Sequence, residues 1–385
     1  MSATPPTAAP PPASGRLLSL DVFRGVTVAG MLLVNDPGSW SAIYPPLRHA
    51  AWHGWTPTDL IFPWFLFIVG ITTHLSLSAR RKRGDDERAL ARQVLRRGAV
   101  IVLLGLLLSA FPFVPLERIA QLRIPGVLQR IGVVYLCTGL FVLRAPPRAQ
   151  WIATTVVLAG YWLLLALVPV PGVGAPALAP PDATLAAWLD RKLLGAHLWR
   201  ETQTWDPEGP LSTLPAIATA LLGVAVGRTL TRAEPLPGRL NRLVGWAALG
   251  ILLGLAWDRM FPINKNLWTS SYVVFTAGTA CAGLAACIWL VDERRITWWT
   301  GPFVAFGVNP IVAFVGSEMV ARLIYSVIEV PYAGDTVALQ TAVYRAGFAS
   351  WLPPRAASLA FAIAFTAVWY VPLAALYRRR IILKI

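Results

Sequence analysis

Two of the four histidines in this 385-residue chain, His49 and His53, stand four residues apart in one short polar segment. That segment, Asn35 to Asp59, reads NDPGSWSAIYPPLRHAAWHGWTPTD and also carries three tryptophans. An imidazole titrates near neutrality, so one of these histidines is suited to general-base chemistry, where the ordinary alternative is a loop histidine without a role. On a helix the spacing would put both rings on one face. A metal site needs three or four ligands, however, and the segment contains no Glu, so no metal is expected. Two further polar groupings stand out: Trp205-Asp206-Pro207-Glu208-Gly209 and Pro262-Ile263-Asn264-Lys265-Asn266-Leu267-Trp268. Trp40, Trp52, Trp55 and Trp205 lie beside His, Asp or Asn. An aromatic face next to polar groups suits a sugar, although most of the 17 tryptophans fit the belt that forms at membrane interfaces.

The elements that must position these residues are membrane helices. The chain is 56% hydrophobic and 14% charged, with a mean hydropathy of +0.58, whereas soluble proteins are about 25% charged. The composition excludes a soluble enzyme and a disordered chain. Ten apolar runs long enough to span a bilayer fall at about 18–36, 58–78, 98–116, 126–143, 150–170, 211–229, 243–259, 268–290, 300–322 and 357–377. The expected fold is therefore an all-α polytopic membrane protein of about ten transmembrane helices. The first fifteen residues hold five prolines and read as a disordered Pro/Ala-rich tail, not a signal peptide. Residues 16–385 read as a single transmembrane domain whose longest loop is 171–210. No internal repeat is evident.

A net charge of +15 would suggest nucleic acid in a soluble protein. Here it reports topology. With ten spans, 21 of the 34 Lys and Arg fall in the loops on the side of both termini and 10 in the opposite loops. Both termini are therefore expected in the cytoplasm, and no nucleic-acid partner is expected. The three histidine-, carboxylate- and tryptophan-rich segments all emerge on the far face. Cys137, Cys281 and Cys287 lie within apolar runs and suggest neither a disulfide nor a metal. A few charges fall inside spans, where they are costly and usually paired. Asp21 and Arg24 share a helix face, as do Glu318 and Arg322. Arg130 has no partner in its own helix and needs a carboxylate, a carbonyl or a ligand anion. Asp59 can cap the helix that follows it or accept from His49 or Arg48.

These residues resemble a known family. Ser19-Leu20-Asp21-Val22-Phe23-Arg24-Gly25, Arg48-His49-Ala50-Ala51-Trp52-His53-Gly54-Trp55-Thr56, Asp59-Leu60-Ile61-Phe62-Pro63-Trp64-Phe65, Arg123-Ile124-Pro125-Gly126-Val127-Leu128-Gln129-Arg130, Asp206-Pro207-Glu208-Gly209 and Pro262 to Trp268 are similar, in this order, to motifs of the heparan-α-glucosaminide N-acetyltransferase family of transmembrane acyltransferases. Six ordered motifs over about residues 17 to 325 are far more specific than one short pattern. The resemblance implies transfer of acetyl from acetyl-CoA, as co-substrate, to the amine of a terminal glucosamine. It implies His49 as the active-site residue and Asn35 as a contributor. Two departures are visible: a longer Asn35–His49 loop, and His at position 53 where the animal enzyme has Asn. The animal enzyme's lumenal domain ahead of the first span is missing, so the expectation is a sugar acetyltransferase of a bacterial inner membrane with its site facing the periplasm.

Chemistry assigns the expected roles. An amine must be neutral to attack a thioester, and His49 can take its proton or carry the acetyl group transiently. Asn35 can donate to the developing oxyanion. Asp206, Glu208, Asn264, Lys265, Trp52 and Asp59 are the expected sugar-binding set, with Asn264 and Lys265 also suited to the donor. Arg130 and Arg123 are the candidates for CoA phosphates. A homodimer is compatible with the sequence, but no motif specifies it. The alternative from another class is an amino-sugar permease, which would use Asp21, Arg24 and Glu318 equally well.

Overall fold

Inside a bilayer only internal hydrogen bonding satisfies the backbone, so the apolar runs fold as helices. The computed structural model describes residues 17–113 and 120–383. The proline-rich tail, Arg16, Arg118 and Lys384, which enter the charge argument, lie outside the described residues. The chain runs through α1 (Leu18–Asn35), α2 (Pro57–Lys82), α3 (Glu87–Ala110), α4 (Val127–Arg144), α5 (Pro147–Leu167), a short α6 (Leu185–Leu194), α7 (Pro210–Leu230), α8 (Leu236–Asp258) and α9 (Ser270–Cys287), which ends in a π-helical turn to Glu293. After α10 (Thr300–Val308) and α11 (Pro310–Ser326) come a hairpin of β1 (Glu329–Tyr332) and β2 (Asp335–Ala338), then α12 (Leu339–Tyr344) and α13 (Pro354–Arg378). Among the described residues nine helices are long and apolar enough to cross a membrane. The chain is thus an integral membrane protein of the expected all-α class.

The expected span 300–322 is not one straight helix. It is the pair α10 and α11, bent by 85° at Asn309. Pro310 disfavours helical geometry in the residue before it, and Asn309 adopts φ −122°, ψ 55°. The Asn309 side chain is buried and pins the C-terminal segment: Nδ2 donates to Ile381 O at 3.0 Å, and Oδ1 accepts from Leu383 N at 2.9 Å. Two other elements carried no apolar signature, namely α6 within the long loop and the β1–β2 hairpin.

Small residues let the inner helices approach backbone to backbone, the usual route to close packing in lipid. A Cβ on Gly70 of α2 would stand 1.9 Å from Ala220 O of α7, and one on Gly223 would stand 2.1 Å from Phe67 O. Around this contact Leu66, Trp268, Tyr272, Val273 and Phe275 form a buried core beneath the end of the bundle that carries His49. By contrast α8 and α13 turn residues such as Leu252, Val368 and Val371 outward, as lipid-facing helices do.

Gly70→Val forces a side chain onto a carbonyl that cannot rotate away, and is expected to cost about 1–3 kcal/mol or more. Gly245→Val, at a site with nothing within 4 Å, is expected to stay within about 0.5 kcal/mol of the parent. Thermal unfolding of both variants in detergent checks the pair.

Candidate functional site

The His49 segment is held by the first turn of α2. Asp59 is the third residue of that helix and is 1% exposed. Its Oδ2 accepts from the backbone N–H of Thr56 at 3.0 Å and of Ala50 at 3.0 Å, and from Thr56 Oγ1 at 3.1 Å. Its Oδ1 is 2.7 Å from His49 Nδ1. Thr56 Oγ1 also reaches back to Arg48 O at 2.7 Å, which closes the loop. The two sequence readings of Asp59, helix cap and partner of His49, are therefore both met by one carboxylate. Because a carboxylate only accepts, Nδ1 of His49 carries the proton in this contact, so the lone pair of the neutral imidazole is on Nε2. The ring is about half exposed.

Lys265 arrives from the turn between α8 and α9. Its Nζ lies 3.1 Å from His49 Nδ1, 3.2 Å from Nε2 and 3.8 Å from Asp59 Oδ1. Burial pushes the Lys265 ammonium below its ordinary range, against the pull of Asp59 and Glu208. The turn itself is rigid. Asn264 is fully buried, accepts from Leu267 N at 2.8 Å and sends Nδ2 to His53 Nδ1 at 3.3 Å. Ile263 O accepts from Gly54 N at 2.7 Å, tying the turn to the His49 segment. Trp268, at φ 53°, occupies a region that bulky residues rarely adopt. Its buried indole donates to Thr219 Oγ1 at 3.1 Å and meets Phe62 and Tyr272 edge-on. Burial lowers the pKa of His53, against the opposing charge of Asp258. Asn264 thus shapes the turn that presents Lys265.

The Asp206 and Glu208 carboxylates are engaged by Arg123. Its Nη2 lies 2.6 Å from Asp206 Oδ1 and 2.5 Å from Glu208 Oε2, and its Nε donates to Asp206 Oδ2 at 2.8 Å. Burial works against this guanidinium's charge, yet the two carboxylates more than compensate and raise its pKa. Burial likewise opposes the charge of Glu208, but Arg123 and Arg130 together hold its carboxyl below the usual range. Arg130 lies deeper, 2% exposed. It donates to Gly209 O at 3.2 Å and to Ser212 Oγ, and sits 4.9 Å over the Trp268 ring. Asp206 also accepts from Trp199 N at 3.1 Å, and its own N–H donates to Asp190 at 3.0 Å. Trp52 meets Trp205 edge-on at 5.2 Å and donates to Leu178 O at 2.8 Å. Through these contacts the long loop is fastened over the His49 segment.

Asn35 belongs to a neighbouring group. Its Nδ2 donates to Glu318 Oε1 at 3.3 Å. Among the described residues no Glu318–Arg322 ion pair forms. Arg322 instead donates to the carbonyls of Leu108 and Phe111 at the end of α3. Asp36 is buried beside Glu318, and burial first, then the neighbouring carboxylate, pushes its pKa up to about 8. The Asp21–Arg24 pair does form, at 2.7 Å. Sequence reading missed Asp190, the Tyr272 hydroxyl donating to Asp59 O at 2.5 Å, and the Asn35–Glu318 contact. Only the Thr56–Asp59 spacing, a capping-box signature, was open to detection.

Among the described residues no cluster could hold a metal ion. Below the site a space of about 80 Å³ lies between α1, α2, α3, α4 and α11, lined by Arg24, Met31, Phe65, Arg97, Ile101 and Phe314 among others. The Arg97 guanidinium lies 5.1 Å over the Tyr135 ring, and its buried Nε finds no hydrogen-bond partner among the described residues.

Residues 16–249 match a family model described as heparan-alpha-glucosaminide N-acetyltransferase, catalytic. The chain is 32% identical over 360 residues to heparan-alpha-glucosaminide N-acetyltransferase of Homo sapiens, covering 79% of this chain and 53% of that protein. It is 32% identical over 359 residues to the protein of that name from Mus musculus, covering 80% and 54%. The chain spans about half the length of the curated relatives it matches.

Arg123→Gln strands two buried carboxylates and is expected to cost about 3–5 kcal/mol. Adding Asp206→Asn should recover part of that loss, read from unfolding curves in detergent. For Asp36, the folded state keeps a proton between the ordinary value of 3.8 and about 8. The associated stability is complete below the lower value and is lost as pH rises through the upper one. Asp36→Asn is therefore expected to gain on the parent as pH rises from about 5 to about 8 in a thermal-unfolding series.

Proposed function

Since the chain belongs to the heparan-alpha-glucosaminide N-acetyltransferase catalytic family, we propose that it is a membrane-embedded acetyltransferase that moves acetyl from acetyl-CoA to the amine of a glucosamine-type sugar. The observation that carries this reading is the Asp59–His49–Lys265 contact. Asp59 holds Nδ1–H and so presents Nε2 as the base. The sugar amine, as it attacks the thioester carbonyl, forms the C–N bond and passes its proton to Nε2. The carbonyl oxygen becomes an oxyanion, which the Lys265 ammonium is placed to stabilise. Collapse breaks the C–S bond, and the thiolate leaves as CoA and recovers a proton. Asn35, at the end of α1 and bonded to Glu318, serves as a second donor to the oxyanion or orients the acceptor.

Arg123 acts here through the loop it holds, its guanidinium engaged by Asp206 and Glu208, whereas Arg130 donates to the Gly209 turn through Nη2 alone and keeps its buried Nε and Nη1 for a donor phosphate. Arg97, whose buried Nε has no hydrogen-bond partner among the described residues, is the cavity side chain suited to a donor phosphate. The excess of Lys and Arg on one side supports an orientation with both termini in the cytoplasm and the His49 site on the far face, the periplasm in a bacterial inner membrane. A glucosamine-bearing saccharide is the acceptor class, and Trp52 and Trp205 supply the aromatic wall it would meet.

The bent α10–α11 pair and the cavity beside it are also features of transporters, which keeps an amino-sugar permease as the second reading. Donor dependence separates the two. Purified protein given acetyl-CoA and glucosamine is expected to release free CoA and N-acetylglucosamine in equal amounts. His49→Ala should abolish this, and Asp59→Asn should lower turnover by about 10²–10⁴-fold, both in protein that still folds by thermal unfolding. Glucosamine uptake into vesicles without any CoA, together with normal behaviour of His49→Ala, would favour the permease.

A further inference from the structure

A second cavity opens at the opposite end of the bundle, between the α2 and α7 C-termini and the α4–α5 turn. It offers about 360 Å³ and is lined by Arg81, Arg144, Arg228, His74, Ser78 and Gln150 among others. Arginines that only set membrane orientation need no common target. These three converge on one concave space, and no carboxylate lines it. Arg81 is neutralised by Glu87, with N–O distances of 2.5 and 3.0 Å. Arg228 is half-buried and donates to the neutral Gln150 amide, which in turn donates to Ala145 O at 2.8 Å. The exposed Arg144 side chain has no hydrogen-bond or ion-pair partner among the described residues. Two positive charges therefore face the cavity without a counter-charge. The wall continues over Pro146 and Pro147, which carry no N–H, into the first turn of α5, the positive end of a helix of 21 residues.

We propose that this cavity is a phosphate-binding site, in which Arg144 and Arg228 grip the oxygens of a phosphate ester beside the positive end of α5. Guanidinium groups match phosphate in bidentate geometry, and basic pockets between helix ends at the cytoplasmic side of a membrane take anionic lipid headgroups. The same chemistry fits a soluble phosphate. The site lies at the end of the bundle away from His49, and the inference does not rest on the proposed acetyl transfer.

The test uses the full chain in neutral detergent and reads the thermal midpoint on titration with phosphatidylglycerol, phosphatidylcholine or inorganic phosphate. Phosphatidylglycerol is expected to raise the midpoint and phosphatidylcholine is not. Each arginine replaced should weaken the apparent affinity about five-fold, so Arg144→Gln/Arg228→Gln largely loses the response, while Arg294→Gln, on the same end but outside the cavity, keeps it. If the double variant does not fold, Arg144→Gln alone is read in the same way. A response to inorganic phosphate that disappears in the same variant assigns the site to a soluble phosphate. Equal responses in the parent and the Arg144 variant, or no response to either phosphate source, would overturn the proposal.

Discussion

The structure around the site depends on where the Asp59 carboxylate is held. It sits in the first turn of α2, where the helix leaves backbone N–H groups unsatisfied and favours a negative charge. Helix formation, closure of the loop through Thr56 and Ala50, and the orientation of His49 converge on its two oxygens. Tyr272 fastens the same turn to α9 through the Asp59 carbonyl. An imidazole on a loop would ordinarily sample many orientations. Here its orientation is tied to the start of a membrane helix whose interior packs on α7 at backbone contact through Gly70 and Gly223.

Charge neutrality imposes the second constraint. Asp206, Glu208 and Asp190 are carboxylates removed from water, and Arg123 and Arg130 supply the positive charge that makes their burial tolerable. This cluster fixes the long loop, and the loop brings Trp205 against Trp52. Lys265 lies between the two sets of carboxylates, near Asp59 and under the influence of Glu208. Its charge is therefore shared between the loop-fastening cluster and the histidine, so the outer loop and the reactive segment form one electrostatic unit.

Much of this was legible in the sequence, and the limits have physical causes. Long apolar runs dictate membrane helices whatever their neighbours do, so most spans were readable to within a turn or so, whereas α3 and α8 begin at Glu87 and Leu236, well ahead of their apolar runs, because their charged first turns are helical too. The break at Asn309 was not read, because an apolar run looks the same whether straight or bent, although Pro310 marked the place. Spacing along one helix identified Asp21–Arg24 correctly and suggested Glu318–Arg322, which do not pair. There, tertiary packing offers Arg322 the frayed carbonyls of α3 and offers Glu318 the Asn35 amide. His49 and Asp59 could be marked as chemistry-bearing from type and context. That Arg123 would engage Asp206 and Glu208, more than 80 residues away in the chain, is a non-local fact that spacing does not encode.

The central claim is that His49 Nε2, set by Asp59, is the atom that meets the acceptor amine. A structure of the protein bound to CoA and glucosamine together tests it most directly. The account places the glucosamine nitrogen within about 3 Å of His49 Nε2, with the CoA sulfur on the other side of the nitrogen's line of attack and Lys265 beside the gap. A complex in which the amine binds at Asn35 and Glu318, or in the cavity beneath, with His49 contacting neither ligand, would contradict it.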